Sequence, residues 1–368
     1  MREKIKIRVA EPDIQEEDAK AVYDAVKRGF LSTGPIVEKF EKSFASFIGS
    51  KYAIAVNSGT AALHLALEAL DIKNGDEVIT TPFTFAATSN VIVHQKAVPI
   101  FVDIEPDTFN LDPSLIEKYI TSKTKAIMPI HYAGQPAEMD KINEIAQKHG
   151  IDVIEDAAPA VGSTYKNRKA GTLGRIAGFS FFPDKNMTTG EGGMITTNDF
   201  ELAEKCKILR KNGASKRYYN IYIGWNYKMS DINAALGLSQ LKRINKIISR
   251  KNKIANYYTK NLPTELGIRP PIVKEYNKCS FMLYSILIKN NVQREKIKSE
   301  LEKRGIETRI NFPPMHLQPI YRKIYGFKKK SFPMSENISK RILGLPIFTT
   351  ISQKQQDFII KTIKSSLE

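Results

Sequence analysis

Residues 155–193 read EDAAPAVGSTYKNRKAGTLGRIAGFSFFPDKNMTTGEGG. An apolar run, IDVIEDAA, delivers Asp156 to its end, where a charge is costly unless it is paired. A helix cap for the following loop is the plain structural use of such an Asp. Lys185 follows 29 positions later, between the aromatic run FSFF and the Gly-rich TTGEGG. Aromatic, partly dry surroundings favour a free nucleophilic amine over the solvated ammonium of an ordinary surface lysine. Asp156 and Lys185 therefore have to be judged with the segments that precede them.

Those segments alternate. KYAIAV, EVITTPF, AVPIFVDI, KAIMPIHY and IDVIEDAA read as strands with nearly continuous apolar interiors. Between and before them QEEDAKAVYDAVKRG, TAALHLALEAL, FAATSNVIVHQ, PSLIEKYI and MDKINEIAQKHG carry helical spacing, the last stopped by Gly150. This predicts an α/β fold: a large domain with a mostly parallel sheet flanked by helices. Ligands of such sheets bind at the carboxyl ends of strands. Asn57–Thr60, Phe83–Phe85, Asp156 and the region of Lys185 all fall there. From Ser230 the texture changes. A long helical pattern runs to about Leu262, followed by a strand (CSFMLYSILI), a helix (VQREKIKSELEKRG), a strand (IETRINF) and a last helix (SQKQQDFIIKTIKSSL). These predict a smaller C-terminal α+β domain, with a large domain over 1–250 and a small one over 251–368.

Bulk properties agree. A chain of 368 residues exceeds what one core usually serves, and its 42% apolar share is ordinary. No signal-peptide core and no membrane-length apolar run is present, and Cys206 and Cys279 alone make neither a disulfide framework nor a metal cluster. A reducing cytoplasm is expected, without membrane or metal. The formal charge of +17 raises nucleic-acid binding, with LKRINKIISRKNK and YRKIYGFKKK the densest stretches. Lysines are nonetheless spread along the whole chain, and neither zinc-finger spacing nor RNA-binding aromatics appear, so a solvated basic surface is the expectation.

NSGTAAL places a Gly at a helix start, where free N–H groups and the helix dipole favour an anion, although an ordinary N-cap has the same look. A phosphate cradle, a strand-end Asp able to pair with a protonated ring nitrogen and a guarded Lys together suit pyridoxal 5′-phosphate (PLP). At this point the chain resembles the fold-type-I PLP aminotransferases, and more narrowly the DegT/DnrJ/EryC1/StrS sugar aminotransferases. LSTGPIVEKFEKSFASFIG, VNSGTAALHLAL, TPFTFAATSN, FVDIEPDTFNLD, VIEDAA, SFFPDKNMTTGEGG, GWNYKMSDINAALG and NFPPMHLQP carry the resemblance over nearly the whole chain.

The resemblance implies that Lys185 forms the internal Schiff base and shuttles the proton, and that Asp156 pairs with the pyridine nitrogen. It implies that Gly59, Thr60 and Ser180 hold the phosphate, and that Phe85 stacks on the ring with Ala158 opposite. It also implies that Asn226 reaches the phosphate of a neighbouring subunit, making a homodimer with shared sites. His316 matches a position near the sugar side, with a structural role as the alternative. His131, Glu191, Met187 and Met229 are expected to hold structure. Two positions depart from the pattern: Pro159, where Gln is common, and Arg175, where Asp is common. The reaction implied is transamination. L-glutamate, leaving as 2-oxoglutarate, turns PLP into pyridoxamine phosphate, which aminates a nucleotide-linked keto-deoxysugar for amino-sugar or polysaccharide biosynthesis. Amination of cyclitols, formation of aromatic amines, or a regulatory nucleic-acid-binding role on this scaffold are the alternatives.

Overall fold

The computed structural model describes residues 6–368; residues 1–5, the start of the charged N-terminal stretch, lie outside the described residues. Helix α1 (Glu16–Lys27) opens on a capping box between Gln15 and Asp18. Helix α2 (Pro35–Ile48) has Pro in its first turn and stops at Gly49 in the left-handed region, φ 88°. The predicted alternation follows as β1 (Tyr52–Val56), α3 (Gly59–Ala69), β2 (Glu77–Thr80), α4 (Ala86–His94), β3 (Val98–Phe101), β4 (Thr124–Ile127), α5 (Met139–His149) and β5 (Asp152–Asp156). Then come β6 (Ile176–Ser180), β7 (Gly193–Thr197) and α6 (Phe200–Leu209).

These seven strands form one sheet in the order β1-β7-β6-β5-β4-β2-β3. The run from β6 to β3 is parallel, and β7 lies antiparallel between β1 and β6. Strand alternation shows why both faces are covered. Ile54, Val56, Ile176 and Ile195 enter one apolar cluster with α3 and α6, while Ala53, Ala55, Ala177 and Met194 enter another with Phe40 and Phe44 of α2.

Helix α7 (Asp231–Asn261) is a single rod of 31 residues opened by Ser230, whose side chain accepts from Asn233 N–H. Leu241 and Ile244 pack with α2 and β6; Ile254, Ala255 and Tyr258 belong to a second core. That core also takes residues of β8 (Ile268–Arg269), β9 (Tyr284–Ile288), α8 (Asn291–Lys303), β10 (Ile342–Leu345) and the last helix, α9 (Gln353–Ser365). The order β8-β9-β10 is antiparallel. Ile7 packs in this second core as well, and Val9 receives a bond from Ile347 N–H, so the N-terminal segment joins the C-terminal unit.

Three local expectations differ from the structure. Residues 113–120 form two 3-10 turns instead of a helix. Asp112 tightens the first by accepting from Ser114 N–H at 2.9 Å, and a segment this short with β-branched Ile116 and Ile120 has little to sustain an α-helix. Among the described residues, 306–312 pair as a strand only in the isolated bridges Ile7–Ile306 and Arg309–Gly344. Pro313 and Pro314 follow without N–H donors, and the side chains of Arg309, Asn311 and Phe312 line a cavity. The strand expected from Cys279 starts only at Tyr284, after Phe281 turns at φ 46°.

Candidate active site

The carboxyl ends of β1, β2, β5 and β6 and the loops that follow them surround a cavity of about 410 Å³. Its floor begins at α3. Ser58 Oγ accepts from Ala61 N–H at 3.0 Å, so Ser58 is a true N-cap, and the first-turn N–H groups of Gly59 and Thr60 remain at the cavity edge. Gly59 is required there, because a Cβ would lie 2.7 Å from Ser180 Cβ. Gly193, last of the GEGG stretch, is required for the same close packing: its Cβ would lie 2.3 Å from the Ser58 carbonyl oxygen. Together they bring the N-terminus of α3 against the end of β6, where Ser180 stands.

Asp156 ends β5 and is 3% exposed. Thr88 Oγ1, on α4, donates to Oδ2 at 2.6 Å, and Ala158 N–H donates to Oδ1 at 3.2 Å. Burial pushes the Asp156 pKa up, against the pull of Thr88, Ala158, Lys185 and His131. Lys185 projects from the loop after β6, its side chain 17% exposed and its Nζ 3.3 Å from Asp184 Oδ1. Asp184 Oδ2 in turn accepts from Arg309 at 3.0 Å.

Gly59, Thr60, Phe85, Asp156, Ala158, Ser180 and Lys185 thus all line one cavity, although they come from segments scattered over more than a hundred residues. Glu191 and Pro159 line it too. Thr88, Asp184 and Arg309 join them without having been singled out by sequence. Thr88 lies inside TPFTFAATSN and Asp184 directly precedes the lysine, so proximity in motif was the available signal; Arg309 had none.

Asn226 does not line this cavity. It is exposed on the segment before α7, and its carbonyl accepts from Asn57 Nδ2 at 3.4 Å. His316 does not line this cavity either. It is fully buried, with Nε2 3.0 Å from Glu336 and its ring centroid 4.7 Å from that of Phe332, and burial lowers its pKa. His131 holds structure as expected. Its Nδ1 accepts from Ala137 N–H at 3.2 Å, which leaves Nε2–H to meet Glu155 at 2.9 Å, both side chains being fully buried. Arg175 lies away from the cavity and pairs with Asp152 and Asp199 at 2.8 and 3.3 Å. Met187 and Met229 are buried in the cluster around α2.

Residues 12–364 match the DegT/DnrJ/EryC1/StrS aminotransferase family. The chain belongs to this family. SpsC of Bacillus subtilis, a spore coat polysaccharide biosynthesis protein, is 42% identical over 96% of this chain and 95% of its own. GDP-perosamine synthase of Caulobacter vibrioides is 40% identical over 98% of each. The solved structure of S. venezuelae DesV, in complex with a ketimine intermediate, superposes with a TM-score of 0.92 at 34% identity, over 96% of this chain and 94% of that one. The protein is accordingly an aminotransferase that uses PLP.

The residues present fit that cofactor. Asp156 is a buried carboxylate aimed into the cavity that makes no ion pair among the described residues, a costly arrangement that a protonated pyridine nitrogen would relieve. The Gly59–Ser180 contact leaves a helix N-terminus open to a phosphate. Lys185 supplies an amine to the same space.

Proposed function

We propose that this family member aminates a keto-deoxysugar carried on a nucleotide, taking the amino group from L-glutamate and releasing 2-oxoglutarate. The observation that carries the reading is the gathering of Lys185, Asp156 and the α3 N-terminus around one cavity. The names of the relatives, a GDP-perosamine synthase and a polysaccharide biosynthesis protein, favour a nucleotide sugar as the amino acceptor.

Bound here, PLP would supply an aldehyde to carry the amino group and a ring to serve as electron sink. The protein's part is holding and proton transfer. Gly59, Thr60 and Ser180 would anchor the phosphate, with Phe85 and Ala158 confining the ring. Asp156, held by Thr88 and Ala158 N–H, would keep the ring nitrogen protonated. Lys185 would bond the aldehyde and, once released, carry the proton to and from the substrate carbon. Asn226, exposed and outside its own chain's cavity, would complete the phosphate site of a second copy, giving a homodimer with shared sites. Residues 1–250 would then act as the cofactor-binding domain and 251–368 as the smaller domain that closes on it, in a cytoplasmic enzyme. None of the described helices is long and apolar enough to cross a membrane.

The test is incubation of purified, PLP-loaded protein with glutamate and a panel of nucleotide keto-sugars, with mass spectrometry of the product. One acceptor should gain an amino group at the expense of the ketone. Lys185→Ala should abolish this while leaving the fold intact, and ordinary turnover by that variant would refute the assignment of Lys185.

A further inference from the structure

Lys251 is on α7, 4% exposed, with its Nζ 2.8 Å from Asn186 Oδ1 and 3.5 Å from the Met282 carbonyl. Lysines are almost never buried this far without a carboxylate partner. Lys251 makes no ion pair among the described residues; the carboxylate facing it, that of Asp184, is already shared by Lys185 and Arg309. Its partner Asn186 follows Lys185 in sequence and donates through Nδ2 to the Ser280 carbonyl at 3.0 Å. Met282 and Leu283, just beyond, line the cavity. One ammonium group therefore ties three pieces together: the long helix, the loop bearing Lys185, and the wall that the C-terminal unit contributes.

The charged and titratable groups facing Lys251 are Asp184 and Lys185 from the loop after β6 and Cys279 from the segment before β9. Burial pushes the Cys279 thiol up to about 12, so it stays neutral. Burial brings Lys251 itself down to about 8, with Asp184 opposing the fall and Lys185 adding to it. Near neutral pH Lys251 is thus mostly charged, and the charge is lost as the solution becomes mildly alkaline.

We propose that Lys251 is a positioning residue for Lys185: it fixes the side chain of Asn186, the residue next to Lys185, against the Ser280–Leu283 wall and sets a second positive charge behind the Lys185 amine. The proposal rests on Lys185 being the lysine that bonds the cofactor.

Holoenzyme carrying Lys251→Met or Lys251→Gln tests it. Both variants lose the charge, and Gln keeps an N–H donor for Asn186. The pH midpoint at which the bound cofactor's absorbance band changes should rise by about one unit in both, because a like charge disfavours protonation nearby. With Met, kcat should fall while KM for glutamate changes little, and Gln should recover part of the loss. A plug with only a packing role would alter stability and leave the midpoint in place, so an unmoved midpoint in soluble, loaded variants overturns the proposal. If neither variant folds, the wild-type kcat profile decides: an inflection at about 8 is expected, and a profile flat through that region overturns it. Borohydride reduction and peptide mapping of the same samples separate the two readings. A label on Lys185 with an unmoved midpoint sinks the role of Lys251 alone. A label on another lysine sinks the assignment of Lys185 beneath it.

Discussion

Replacing Gly59 with Ala adds a single methyl group at the seam between α3 and β6. That methyl would stand 2.7 Å from Ser180 Cβ, 3.1 Å from its Oγ and 3.2 Å from its Cα. Carbon atoms pack at about 3.5–4.0 Å, so the helix start has to withdraw by roughly 0.8 Å or more. Ser180 cannot yield by a rotamer change, because Cβ and Cα are the atoms met. Overpacking of this size costs about 1–3 kcal/mol. In global stability part of it is offset, since Ala is better than Gly in a helix by about 1 kcal/mol. The phosphate site has no such offset, because its geometry is the distance between the α3 N–H groups and Ser180. PLP affinity should therefore fall about 5- to 150-fold, at 1.4 kcal/mol per factor of ten, while the apoprotein melts within a few degrees of wild type. Absorbance titration of apoprotein with PLP and a thermal melt measure the two quantities. Adding Ser180→Gly removes the two closest contacts and leaves only the one to Cα, so the double variant should bind PLP scarcely worse than Ser180→Gly alone. Wild-type affinity in Gly59→Ala, or fully additive losses in the pair, would show that the seam does not shape the phosphate site.

Asp156→Asn should stabilise the apoprotein near neutral pH by about 1–3 kcal/mol, since a buried carboxylate without a cation is removed. Burial raises the folded-state pKa of Asp156 above its unfolded value, so the stability linked to its proton is present in acid and lost as pH rises through the folded value. The advantage of Asn should accordingly shrink on acidification, and an advantage that grows in acid would contradict the sign. Asn226→Ala and Lys185→Ala, each impaired alone, should regain activity on mixing with subunit exchange; proven heterodimers without activity would place Asn226 in its own subunit's site or in none. Pro159→Gln should lower the pH midpoint of the cofactor's absorbance band by about one to two units, if a donor there favours the ionised ring oxygen. An unchanged or raised midpoint in a spectroscopic titration would mean another group already serves that oxygen.

What could be read from the sequence follows the range of the forces involved. The parallel strands were visible because two covered faces demand continuous apolar runs, and the helices because their burial leaves a 3.6-residue imprint. Asp156 and Lys185 stood out because a charge beside such runs needs an explanation. Thr88, Asp184 and Arg309 were not visible, because their importance lies in distances across the fold, such as the 2.6 Å from Thr88 to Asp156. His316 shows the converse. Its motif suggested the substrate side, but Glu336 and Phe332, supplied by the following loop and helix, enclose it. The strand expected at 306–312 failed because the chain there turns Arg309, Asn311 and Phe312 to the cavity, leaving isolated bridges to Ile7 and Gly344.

The antiparallel strand β7 has a consequence for how the chain is made. Tyr52 of β1 has its register partner in Thr197, and the first turn of α2 is held by Asp231, with Gly34 N–H bonded to it across 197 positions. These earlier segments therefore wait for much later ones as the chain leaves the ribosome, and β1 with the aromatic face of α2 remains unpaired until residues 193–231 emerge. Loop closures of this span are slow and leave strand edges open in the meantime. Nascent chains halted before residue 193 should be prone to stick to chaperones and to one another, whereas chains released after α7 can close the sheet.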